Sequence, residues 1–342
     1  MTMEIKKKII FILVAFTAIL IILNALLGNR KHGIAKIKTV NFFLTRNKIE
    51  DNFKKILATY GIQNQWINKT NIKSKQYDSL KFKYIIEVPS SVPIPLIIKD
   101  ISLILNNKNI NVISRQKEFN SSTELIVKAN NFVKLYANFK YNNSLHRPSS
   151  TAAFIIKNIN TLSADELSAF LMIPQKYGVL LPLRNSSIGI AEKILDAKRN
   201  YYISLDDDAD NVFFELDEDF GVHQLKKNIK SIISSFNTPH YYFVNKKTTG
   251  FSNSFINFLI DEFKKRKRKI LRENSFINLK GEDSEDLKSL LNFHLNNIKP
   301  GNFKIFFIDV NDWENVQQVL NDYLKKGNKI ILPSKLLIRK KK

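Results

Sequence analysis

The stretch "YGVLLPLRNSSIGIAEKILDAKRNYYISL" (residues 177–205) decides the fold. It opens on a short apolar run, "VLLPL", too brief for a helix and dense enough to be buried on both faces. A polar turn follows, then "SSIGIAEKILDAKR", whose apolar positions recur at helical spacing, and then a second apolar run, "NYYISL". A short buried strand, one helix and another short buried strand make a βαβ unit, which demands a parallel sheet with a crossover helix.

The same rhythm extends in both directions. Before it stand "AAFIIKN", a strand, and "SADELSAFLMI", a helix with Ser163 as N-cap and Glu166 completing a capping box. After it come the helix "HQLKKNIKSIISSFN", the strand "HYYFVN", the helix "NSFINFLIDEFKKRKR" and the strand "KILRE". The helix "SEDLKSLLNFHLNNIK", the strand "FKIFFIDV", the helix "ENVQQVLNDYLKKG" and a last strand "KIILP" complete the series. Seven strands alternating with helices suit a (β/α) barrel, complete or incomplete, as well as an open doubly wound sheet. In either, ligand chemistry belongs at the C-terminal ends of the strands. The positions to inspect are therefore Lys157 and Asn158, Arg184 and Asn185, the loop after Ser204, residues 245–249, Arg272 and Glu273, and residues 309–311.

Residues 39–143 read as a separate small α+β domain. A helix "IEDNFKKILATYG" stops at Gly61, a strand "LKFKYIIEVP" ends at a proline, "IPLIIKDISLILNNKN" is a second helix, and three strands follow. Residues 144–151 are polar, with a proline, and read as a linker to the barrel domain at 152–342. At the other end, residues 1–38 hold a tail, an apolar segment and a juxtamembrane stretch. Lys6, Lys7 and Lys8 precede an almost unbroken apolar run over residues 9–27. At about 1.5 Å per residue this run spans the roughly 30 Å hydrocarbon core of a bilayer. No small-x-small exit follows it, so it reads as an uncleaved transmembrane signal anchor. The expected placement is a single-pass protein of the cytoplasmic (inner) membrane, with the bulk of the chain outside.

The 342 residues carry a formal charge of +23 and contain no cysteine, which excludes disulfides and thiolate metal sites. Lysine is spread along the whole chain, and its densest run, at residues 263–273, lies at the end of an apolar-periodic helix. It reads as a solvated helix end with cations near the C-terminal dipole. The topology also argues against a nucleic-acid partner.

On "AAFIIKNIN", "VLLPL…SS…IAEKILDA", "HYYFVNKKTTGFSNS" and "FKIFFIDVN…NKIILPSKLL", the second domain resembles the divergent polysaccharide deacetylases, over about residues 152–337. The resemblance implies a distorted seven-stranded (β/α) barrel in an envelope protein, acting on carbohydrate through a divalent metal. It also locates the departures. Where the family's first strand ends in two aspartates, a catalytic base and a metal ligand, this chain has Lys157 and Asn158. Ser204 stands at the position of a histidine after the third strand, Lys247 at that of the fourth-strand histidine, and Asp309 at that of the histidine near the last long strand. A protonated lysine has no lone pair to give a metal. Of the five histidines, His32 and His146 lie outside the barrel, His223 and His294 fall on helices, and His240 stands at the wrong end of a strand. The expected function is thus a catalytically degenerate barrel that binds glycan or an envelope protein, with no cofactor. The alternative is an active deacetylase whose zinc is held by relocated ligands, Asp309 and the Asp206–Asp210 group.

One acidic loop stands out in this basic chain, "SLDDDADNVFFELDEDF" (residues 204–220). Asp206, Asp208 and Asp210 have the alternate spacing of a calcium loop, with Asn211 at the turn, Phe213 as apolar anchor and Asp217 in the twelfth position. A strand precedes the loop where an EF-hand has a helix. Solvation and charge pairing are the principal reading, and a structural Ca²⁺ is the other. Lys157, Arg184, Lys246 and Lys247 either line the old cleft as an anion site or are surface cations. Trp313 and the Tyr201/Tyr202 and Tyr241/Tyr242 pairs offer sugar-stacking faces if they are exposed, and otherwise stand half in the core.

Overall fold

A computed structural model describes residues 46–72, 80, 82–106, 109–118, 122–130, 132–206, 209–245 and 250–339. The anchor run at 9–27, with His32, Lys246, Lys247 and Asp208, lies outside the described residues. Among those described, no helix is long and apolar enough to cross a membrane. Glu50–Lys342 is one compact unit containing two sheets.

The first sheet follows helix α1 (Arg46–Thr59) and joins β1 (Ile67–Asn71), β2 (Phe82–Pro89), β3 (Ile110–Glu118), β4 (Ser122–Ala129) and β5 (Phe132–Asn142) in the order β1-β2-β5-β4-β3. Only β2 and β5 run parallel, because α2 (Ile94–Leu105) carries the chain over from β2. Phe53 on α1 packs against Tyr84 and Phe139 at 5.5 and 6.2 Å between ring centroids. The sequence reading omits β1, since "INKTN" is a polar edge strand with four exposed residues and no apolar alternation.

The second sheet is parallel. Its strands are β6 (Thr151–Lys157), β7 (Gly178–Pro182), β8 (Asn200–Leu205), β9 (Tyr241–Val244), β10 (Lys269–Arg272), β11 (Ile277–Asn278), β12 (Phe303–Asp309) and β13 (Lys329–Ile330). Helices α3 (Ala164–Leu171), α4 (Ser186–Asp196), α5 (Val222–Ser235), α6 (Asn253–Lys265), α7 (Ser284–Asn296), α8 (Val310–Trp313) and α9 (Gln317–Lys325) lie between strands, and α10 (Pro333–Arg339) follows the last. The capping box at Ser163 and Glu166 forms as the sequence requires.

The strand order is β10-β9-β8-β7-β6-β12-β11, with β13 beside the start of β6. The expected seven-stranded barrel is thus an eight-stranded sheet, open between β10 and β11. The extra strand β11 has two residues, too few for any period to register. The sheet is strongly curled. Phe243 on β9 and Phe307 on β12 are four strands apart, roughly 19 Å on a flat sheet at about 4.8 Å per strand. Their rings are 5.3 Å apart, edge to face.

Alternate residues therefore fill two cores. Ala153, Ile155, Leu180, Tyr202, Phe243 and Phe307 point into the curl, closed below by Leu336 and Leu337 of α10. Phe154, Ile156, Leu181, Tyr201 and Tyr242 point outward under the helices. Trp313 and all four paired tyrosines are buried, so neither a stacking face nor a half-exposed pair survives. A parallel sheet covered on both sides leaves no solvent face for alternate residues to reach.

Arg147, in the stretch read as a linker, ties the two sheets. Its Nη1 donates to the carbonyl oxygens of Tyr60 at 3.1 Å, just past α1, and Lys325 at 2.9 Å, the end of α9. One guanidinium thus meets two helix C-termini, where unpaired carbonyls favour a cation. Nearby, Asp100 accepts from both the Tyr60 hydroxyl and the Lys325 ammonium.

Candidate functional site

At the C-terminal ends of the strands lies a cleft of about 270 Å³. The strand period of two places its walls. With Ala153 and Ile155 facing inward on β6, the next inward residue is Lys157; on β8, Ser204 and then Asp206 follow Tyr202, and Asn245 follows Phe243. The cleft thus gathers Lys157, Asn158, Arg184, Ser204, Asp206 and Glu273.

Its centre is an ion pair. Lys157 Nζ lies 2.8 Å from Glu273 Oε2 and 4.8 Å from the centroid of the Phe307 ring. Asn245 Nδ2 donates to the same carboxylate oxygen at 3.3 Å. Glu273 is 8% exposed and the Lys157 side chain 22%, so the pair is largely withdrawn from water. Asn158 adopts the left-handed conformation (φ 61°), which Asn tolerates better than most residues. Its Nδ2 donates to Asp309 Oδ2 at 2.5 Å. The other Asp309 oxygen accepts from the Asn311 amide at 2.9 Å, capping α8. Burial, and after it the charge of Asp309, raises the Asp312 carboxyl above its usual range.

From residue 209 onward the acidic loop is folded rather than loose. Phe214 and Leu216 are buried, and the buried Asn228 of α5 donates to the carbonyl oxygens of Val212 at 3.1 Å and Glu215 at 2.8 Å. Phe213, the expected apolar anchor, is half exposed, and its neighbour Phe214 takes the core position. Of the calcium-spaced carboxylates, Asp206 faces the cleft, and Asp210 accepts from the Asn185 amide at 2.7 Å. Asp217 accepts from the Asp219 amide within its own turn at 2.9 Å.

The divalent metal implied by the family resemblance does not fit this mouth. The first-strand position presents an ammonium already paired with Glu273, and Asp309 is committed to an asparagine and a helix cap. Among the described residues no three His, Cys, Asp or Glu side chains group to hold a metal ion. Glu273 was legible as a strand-end position. Its role was not, because its partner lies 116 residues away and meets it only through the curl.

No family model matches the chain, and no curated protein matches it. Solved structures do. The chain is similar in fold to polysaccharide deacetylases. A CE4 family pseudoenzyme from Bacillus anthracis aligns at 12% identity over 70% of this chain and 94% of its own, with a TM-score of 0.38. A family 4 carbohydrate esterase of Bacillus subtilis aligns at 11% identity over 57% and 82%, with a TM-score of 0.36. A polysaccharide deacetylase from Bacillus cereus aligns at 12% identity over 53% and 91%, with a TM-score of 0.35. These likenesses are distant, and the functional reading rests on the residues of the mouth.

Proposed function

We propose that this protein is a membrane-anchored envelope component whose deacetylase-like barrel has lost metal-dependent hydrolysis and binds a glycan at its mouth. The Lys157–Glu273 pair carries the reading. An ammonium at the centre of the cleft supplies no lone pair, and its charge opposes a second cation at the same place. The remaining lining suits neutral, hydroxyl-rich ligands: Asn158, Asn160, Asn245 and Ser204 offer amides and a hydroxyl, while two cations and two carboxylates leave the cleft without large net charge. Anchoring rests on the apolar run at residues 9–27.

The test uses the full chain purified in detergent. Bound zinc and calcium are measured, acetate release from N-acetylglucosamine oligomers is assayed with and without chelator, and oligomer binding is followed calorimetrically. The expected result is substoichiometric metal, no acetate, and binding indifferent to chelator. Stoichiometric zinc with chelator-sensitive acetate release would replace this reading with that of an active deacetylase.

A further inference from the structure

The two ends of the barrel carry opposite charge. Six stretches lead from a helix into a strand at the end away from the cleft: 172–177, 197–199, 236–240, 266–268, 297–302 and 326–328. Together they hold eight Lys or Arg and no Asp or Glu. At the cleft end, the described residues of the connection 206–221 alone hold six Asp or Glu and no Lys or Arg. Strands of about six residues, at roughly 3.3 Å each, separate the two ends by more than the roughly 8 Å screening length of physiological salt, so each presents its own field.

Like the acidic loop at Val212 and Phe213, the basic end also exposes apolar surface. A groove of about 280 Å³ opens there between Leu195, Pro239, Tyr241 and Ile338, with Lys267 and Lys269 on its rim. Ile338, on α10, is 64% exposed, and the exposed Lys335 precedes it by three positions. Part of the basic end is already engaged: Lys325 pairs with Asp100 against the first sheet, and Glu262 takes Lys265 and Arg266. Lys198, Lys264, Lys267 and Lys335 remain exposed around the groove side. The basic run at 264–269 and Lys335, far apart in sequence, thus frame one apolar edge.

We infer that this end of the barrel docks on the surface of an anionic phospholipid bilayer, with the lysines at the headgroups and Ile338 entering the interface. Cations flanking an exposed aliphatic side chain are the chemistry of interfacial membrane binding. The tyrosines that line the groove, Tyr201, Tyr202 and Tyr241, are buried, so the groove offers the bases of a nucleic acid no exposed tyrosine ring on which to stack. Docking turns the cleft and its acidic loop away from the membrane. It rests on the barrel's own charges and does not require that residues 9–27 insert.

The chain has no cysteine, so Ile338→Cys gives a single attachment point for an environment-sensitive fluorophore. Full-length labelled protein is combined with vesicles of phosphatidylcholine alone or mixed equally with phosphatidylglycerol. Carbonate-resistant flotation reports separately whether the anchor has inserted. Docking predicts a blue shift, and quenching by spin-labelled lipid several-fold stronger in the anionic vesicles, both falling as salt rises. The combined charge reversal Lys264→Glu, Lys267→Glu and Lys335→Glu should abolish the difference, while the same probe at Val212→Cys, on the acidic loop, stays in water. Should the triple variant misfold, the salt titration of the parent protein decides alone. Equal emission in both lipids, quenching at position 212 instead of 338, or uptake of single-stranded DNA as tight as that of anionic vesicles would each overturn the assignment.

Discussion

Lys157 and Glu273 show what a single residue decides at this mouth. The carboxylate is the more buried partner, so losing its cation is the costlier change. Lys157→Met should destabilise the protein by about 2–3 kcal/mol, somewhat below the range for a fully buried pair because the lysine keeps some water. Glu273→Gln, which leaves the better-hydrated lysine behind, should cost about 1–2 kcal/mol. Lys157→Met combined with Glu273→Gln should cost less than the two single changes added together. Urea unfolding of the four proteins measures this, and additive losses would show that the two side chains do not interact. The rule that chemistry sits at the C-terminal ends of strands placed Lys157 and Asn158 at the cleft from sequence alone. It could not give the partner, since a strand end tells where a side chain stands and not what faces it.

Two glycines, one past a helix end and one inside a helix, behave oppositely. Gly327, past the end of α9, has φ +96°, and a Cβ there would stand 2.7 Å from Arg147 Cζ and Nε. Gly327→Ala should therefore destabilise by about 1–3 kcal/mol through backbone strain and displacement of the guanidinium. Gly189 lies within α4, with nothing within 4 Å of its Cβ position, so Gly189→Ala should stabilise by about 0.5–1 kcal/mol. Thermal unfolding reads both, and a shift of the same sign in the two variants would refute the distinction. Helix and strand order was legible because buried runs, capping signals and glycine stops are local. The strands β1 and β11 were not, one being polar and the other two residues long.

For the whole molecule, the first sheet is held to the barrel by Arg147 and by Asp100, which the Tyr60 hydroxyl and the Lys325 ammonium both approach. Burial alone raises the Asp100 carboxyl. The hydrogen bonds from Lys325 and Tyr60, with the lysine's charge, outweigh it and hold the group below its ordinary range. A carboxylate depressed in the folded state contributes stability above its unfolded pKa of about 3.9 and loses it as pH falls through the folded value. Acid below about pH 4 should therefore loosen the first sheet from the barrel, seen as protease cleavage in residues 144–151. Asp100→Asn should make that cleavage less dependent on pH in the same window, and an unchanged acid profile would refute the role of Asp100. By itself the sequence determined the alternation of strands and helices, the strand ends at which chemistry belongs, and the absence of imidazole and paired aspartate there. These follow from local periodicity and residue identity. Only the tertiary structure decided that Lys157 meets Glu273, that the tyrosine pairs are buried, and that Lys335 shares one apolar edge with the distant basic run at 264–269. Each depends on how far the sheet curls, and curl is a property of the packed strands together, set by long-range contacts that no single segment encodes.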